Sequence, residues 1–194
     1  MTSQPLVLDP ATTALVLIDL QKGIVPMAKA PHSAQTVLSN AIALVEAFRA
    51  AKAPIVRVRV GFSADGGDRL HQAVDRLNPS GPTPEDWLAD PEGLRSQPGD
   101  IEILKRQWGA FYGTELDLQL RRRGIRTLVL GGISTAIGVE STARAAFEHG
   151  YEIVFPEDLS GSPDEALHRH SFEAIFPRLG RVRTTAQVLA AMKA

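Results

Sequence analysis

The chain has 194 residues, 44% hydrophobic and 22% charged, with a formal net charge of −1 and no cysteine. That length suits a single domain spanning 1–194, and the composition is that of a globular chain rather than a disordered one. Balanced charge provides no field to attract nucleic acid or an anionic membrane. The lack of cysteine excludes disulfides, thiolate catalysis and thiolate-held metals.

The leading residues carry no basic stretch followed by an apolar run, so no secretory signal is expected. No apolar stretch approaches the roughly 20 residues of a membrane span, and a cytoplasmic location is the expectation. Ala14–Ile18 is a continuous apolar run, the pattern of a strand buried on both faces, and it stops at Asp19-Leu20-Gln21. Val37, Ala41, Leu44, Val45 and Phe48 share one helical face, and Ala53-Pro54 ends that helix. A second strand is predicted at Ile55–Val60. Gly61–Gly99 then breaks the rhythm with Gly, Pro and Asp clusters and Trp87. It reads as a long insertion over the sheet, of the kind that often serves as a lid or binding loop. The third strand, Ile101–Leu104, runs into Lys105, with Arg106, Gln107, Trp108, Phe111 and Tyr112 just beyond.

Leu116, Leu118 and Leu120 predict a helix ending near Gly124, with Arg121, Arg122 and Arg123 at the negative end of its dipole. Thr127–Leu130 is the fourth strand and opens into a loop of small residues from Gly131 to Gly138. Val139, Thr142, Ala143, Ala146 and Phe147 form the next helical face, stopped by Gly150. A fifth strand, Ile153–Phe155, ends in Glu157-Asp158. A helix from about Asp164 to Ile175 follows, then a weaker strand at Arg181–Arg183 and a last helix over Ala186–Met192.

Strand–helix–strand alternation implies right-handed crossovers and a three-layer α/β sandwich, a six-stranded parallel sheet with helices on both faces. Ligands in such sheets bind at the carboxyl ends of the strands, so the residues there are the candidates. Asp19 is either a turn or cap residue or a carboxylate at the mouth of the core. Lys105 is either a snorkelling surface lysine or a cation facing a pocket walled by Trp108, Phe111 and Tyr112; those aromatics fit simple core packing equally well. Backbone N–H groups of the Gly131–Gly138 loop, at a helix start, could hold an anion or a developing oxyanion. The five histidines show no metal-ligand spacing; His168 and His170, two apart on a helix, point to different sides and read as surface or helix-end residues.

Three motifs occur in order: Leu17-Ile18-Asp19-Leu20-Gln21, Lys105 through Thr114 (Lys-Arg-Gln-Trp-Gly-Ala-Phe-Tyr-Gly-Thr), and Gly132-Ile133-Ser134-Thr135 continuing into Val139-Glu140-Ser141-Thr142-Ala143-Arg144. With them the chain resembles the isochorismatase-like (cysteine hydrolase) superfamily from Thr13 to Val188, in a branch lacking the catalytic cysteine. The resemblance implies the Rossmann-like isochorismatase fold and a hydrolase whose Asp is Asp19 and whose Lys is Lys105. It puts Gly138 at the nucleophile position. It also implies oxyanion donors at the backbone N–H groups of Ser134 and Gly138, a cis peptide near Ile133-Ser134, and a homo-oligomer, dimer or tetramer. The small-molecule substrate would meet Gln21, Trp108, Phe111, Tyr112, Ser134 and Thr135. The metal-binding Asp-x-His pattern of nicotinamidases is missing from Arg59 to Asp65, so no metal or cofactor is expected.

Glycine has no atom with which to attack, so the covalent thioester route is closed. Some isochorismatases work without a cysteine, their Asp protonating a vinyl ether. By resemblance Asp19 would be the general acid, Lys105 would orient substrate or steady negative charge, and Gly138 would leave room. Burial would raise the Asp19 pKa as that role requires, whereas a nearby Lys105 would lower it. Two alternatives stand: a non-catalytic small-molecule binder on the same scaffold, and a serine hydrolase using Ser134 with Asp158 and His168 or His170.

Overall fold

The computed structural model describes residues 6–76 and 83–192. All six residues of β1 (Thr13–Ile18) are buried, with successive side chains pointing to opposite faces of the sheet. Ala14, Val16 and Ile18 enter one core with Leu116 and Leu120 of α2 (Leu116–Arg122) and with Ala143 and Ala146 of α3 (Glu140–Glu148). Leu15 and Leu17 enter the other, against Val37, Ala41, Leu44 and Phe48 of α1 (Ala34–Ala50) and Val188 of α6 (Thr185–Ala191). Each fully buried Leu or Phe contributes on the order of 2 kcal/mol, so two such cores sandwich the sheet firmly.

The other strands are β2 (Ile55–Val60), β3 (Ile101–Lys105), β4 (Thr127–Ile133), β5 (Glu152–Pro156), β6 (Ser160–Gly161) and β7 (Arg181–Arg183). All pairings are parallel, in the order β3-β2-β1-β4-β5-β7, with β6 alongside β4. The winding reverses between β1 and β4, which is where doubly wound sheets open a crevice beyond their carboxyl ends.

Among the described residues the six expected strands form the sheet, joined by one more. The extra one, β6, is two residues of serine and glycine and leaves no hydrophobic pattern. β4 also runs further than predicted, through Gly131, Gly132 and Ile133. Its glycines are required by contact: a Cβ on Gly132 would fall 2.1 Å from the carbonyl oxygen of Ile18, and φ there is +138°. A wide π turn (Thr135–Val139) leads into α3. Likewise α4 (Glu165–His170) passes through a π turn (Ser171–Ile175) into α5 (Phe176–Leu179), where Phe176 stacks on Phe155 at 4.3 Å.

The expected insertion at 61–99 forms no helix or strand among its described residues; part of it, 77–82, lies outside them. Its later half is tied to β2 by two buried or half-buried arginines. Arg57 bonds Asp90 (3.2 Å) and the Leu94 carbonyl (2.5 Å), and Arg59 bonds Asp90 (2.6 Å) and Ser96 (2.7 Å). These arginines account for the charge inside an otherwise apolar strand.

Candidate active site

Asp19 leaves β1 in the left-handed region, φ 53°, with its N–H bonded to Val58 at 2.9 Å. A non-glycine residue there is strained, and Asp tolerates it better than most. Lys105 ends β3, with β2 lying between. Its long side chain spans that width and brings Nζ to 2.7 Å from Asp19 Oδ2 and 2.8 Å from the Trp108 carbonyl. Both residues are buried, Lys105 at 2% exposure and Asp19 at 5%.

Burial pushes the Asp19 carboxyl up from 3.8 to about 6, against the charge and hydrogen bond of Lys105, which pull it down. Taking the carboxylate out of water therefore outweighs the pairing. Asp19 Oδ1 is buried and has no hydrogen-bond partner among the described residues.

The turn after β4 supplies the third side of the site. The Ile133–Ser134 peptide is cis, where the resemblance put it. A Cβ built on Gly138 would lie 3.1 Å from Asp19 Oδ2, 3.5 Å from Lys105 Nζ and 3.0 Å from Ile18 Cγ2. Position 138 thus faces the carboxyl–ammonium pair, with no side chain between them.

The other candidates separate. Ser134 is 7% exposed and opens the turn that carries Gly138, but Asp158 and His168 are engaged elsewhere. Asp158 holds Thr185 (2.7 and 2.8 Å), His168 holds Thr135 and Glu157, and His170 is exposed, so no serine triad assembles. The Gln21 side chain bonds backbone, donating to Val60 and Trp87 (3.0 Å each) and accepting from Val60 N–H (2.9 Å). It fastens β1 to β2 and the insertion. Thr135 is fully buried, its hydroxyl bonded to the Gly161 carbonyl and His168. Phe111 is core, stacked on His149 at 5.0 Å. Trp108 and Tyr112 are 55% and 82% exposed, so the aromatics do not wall an enclosed pocket. Two open concavities, one along α4 and one at the amino ends of β2 and β3, lie away from the pair.

His168 is a correction. It is buried at 2% exposure and belongs to a cluster with His32 and Glu157. No local pattern signals this group, because Glu157 and His32 are 125 residues apart.

Residues 13–187 match the isochorismatase domain. The chain belongs to the isochorismatase family. It is 51% identical to the isochorismatase family protein YecD of Escherichia coli O157:H7 over 95% of this chain and 98% of that one. It is 32% identical to the ureidoacrylate amidohydrolase RutB of Methylobacterium radiotolerans, over 94% of this chain and 80% of that one. An isochorismatase family protein from Burkholderia thailandensis superposes with a TM-score of 0.92 at 43% identity, covering 98% and 100% of the two chains. This isochorismatase-family chain is accordingly a hydrolase of α/β fold, and none of its described helices is long and apolar enough to cross a membrane.

Proposed function

We propose that this isochorismatase-family hydrolase works without a cysteine nucleophile, on a small carboxylated vinyl ether, with Asp19 as general acid. The observation that carries the proposal is a buried carboxyl raised to about 6, next to an ammonium and facing a bare glycine. With that value about a tenth of the molecules carry the proton at pH 7, enough for a general acid near neutrality.

The proton on Asp19 goes to the terminal vinyl carbon, and the ether oxygen shares the resulting positive charge. Water then adds to the oxygen-bearing carbon, which carries that charge, and returns a proton to Asp19. The hemiketal collapses to an alcohol and a ketone, so the reaction consumes one water and no cofactor. Lys105 holds the substrate carboxylate or steadies developing negative charge. Drawing Lys105 toward substrate also weakens its hold on Asp19 and raises that carboxyl further. Gly138 leaves its side-chain volume to substrate or water.

A second reading is favoured by the amidohydrolase relative: water, activated by ionised Asp19, attacks an amide whose oxyanion meets the N–H groups of Ser134 and Gly138, and the proton taken by Asp19 passes to the amine as the C–N bond breaks. In either case the substrate is a small molecule and the protein works in the cytoplasm as a homo-oligomer. The exposed Trp108 and Tyr112 beside the site suit contact with a second copy.

The test is a turnover screen by proton NMR on small carboxylated vinyl ethers and on amides. Loss of vinyl resonances is expected, slowed about 100-fold or more in Asp19→Asn. Turnover of amides alone selects the second reading. Undiminished turnover in Asp19→Asn removes both, and no turnover of any compound leaves the binding-protein alternative.

A further inference from the structure

Away from the Asp19–Lys105 pair, three side chains from separate elements meet beyond the carboxyl end of β5. His32 Nε2 lies 2.9 Å from each oxygen of Glu157, and His168 Nε2 lies 2.9 Å from Glu157 Oε1. One ligand atom from each residue fits within a span of 4.8 Å. His32 comes from the loop before α1, Glu157 follows β5 directly, and His168 is the buried position of α4. His32 and Glu157 are partly exposed, so the group opens to solvent on one side.

The protons around His168 can be counted. Thr135 Oγ1 lies 3.1 Å from the Gly161 carbonyl oxygen and 2.8 Å from His168 Nδ1. If the hydroxyl proton goes to Nδ1, Nε2–H donates to Glu157; if it goes to Gly161, Nδ1 is the donor to Oγ1. In the second case a neutral His168 directs the lone pair of Nε2 at the Glu157 carboxylate. Two lone pairs at that distance repel unless a cation lies between them, either a proton or a metal ion. One ring nitrogen anchored by an outer hydrogen bond, with the other aimed at a centre shared with a carboxylate, is how proteins orient a metal-binding histidine.

We propose that His32, Glu157 and His168 bind a divalent transition-metal ion, with Zn2+ the best match. Two imidazoles and one carboxylate suit Zn2+ and its neighbours and do not suit Ca2+ or Mg2+, which take oxygen ligands. Zinc bonds of about 2.1 Å need ligand atoms about 3.4 Å apart in a tetrahedron, a small opening that two partly exposed side chains can supply. The ion ties the loop before α1, the end of β5 and α4 together. Through Thr135 it also braces the turn that carries Ser134. The site is independent of the hydrolase proposal.

The experiment uses the full chain stripped of metal with a chelator and titrated with ZnCl2 by calorimetry and with CoCl2 by visible absorption. One site per chain is expected, with a dissociation constant on the order of micromolar or tighter, four-coordinate Co2+ bands and a higher melting temperature. Glu157→Gln and His32→Gln should each weaken binding about 100-fold or more. His32→Gln keeps a donor to Glu157, so the metal-free melting temperature should hold. Three results would overturn the proposal: no site in the unmodified chain, Zn2+ binding in both variants as tight as in the parent, or Ca2+ bound as tightly as Zn2+. The first of these leaves the cluster as a hydrogen-bonded group without metal.

Discussion

Position 138 shows how one side chain divides two chemistries on the same frame. A Cβ there would touch Asp19 Oδ2 at 3.1 Å and approach Lys105 Nζ at 3.5 Å. These contacts are tight by only a few tenths of an ångström, and the backbone does not require glycine. Gly138→Cys should therefore fold and set a thiol beside an ammonium, which lowers thiol pKa. Alkylation by iodoacetamide at neutral pH, followed by intact mass, should run about 10-fold faster than for an ordinary surface thiol. A thiol of ordinary reactivity would mean that position 138 does not face the pair. Asp19 and Lys105 were legible in the sequence because each ends an apolar strand abruptly. The polar candidates were not. That Gln21 and Thr135 stand near strand ends is written in the chain, but which groups their hydrogen bonds reach is decided by residues such as Val60, Gly161 and His168, far along it.

The elements were legible where apolar runs are continuous, as in β1 and β5, and were cut short where glycine takes over. The carboxyl end of β4 is the case in point. Gly132 lies so close to Ile18 that any side chain would strike backbone, and its φ of +138° already excludes ordinary residues. Propensity alone assigns such a stretch to a loop. Here the lack of a side chain is what lets β4 continue beside β1 and deliver the Ser134–Gly138 turn to Asp19. Gly132→Ala should cost about 4 kcal/mol or more and lower the melting temperature by about 10 °C or more, read by calorimetry or circular dichroism. A variant melting within a few degrees of the parent would show that the two strands have slack between them.

For the molecule as a whole, the parallel sheet with helices on both faces followed from hydrophobic rhythm, whereas the strand order and the His32–Glu157–His168 cluster depend on three-dimensional closure of distant segments. Global stability should also carry the mark of the active pair. A carboxyl whose folded pKa of about 6 exceeds its unfolded 3.8 binds its proton more tightly in the fold. Its contribution is fully present below about pH 4 and is lost as pH rises through about 6, on the order of 3 kcal/mol in all. Urea unfolding should show the parent losing stability relative to Asp19→Asn between those limits; a relative gain would reverse the sign of the shift. The most direct test is the pH dependence of kcat/KM on a carboxylated vinyl ether. If Asp19 acts as the acid, the rate falls as pH rises through about 6. A rate that instead climbs through the same pH would make the working form of Asp19 the ionised one and contradict its role as proton donor.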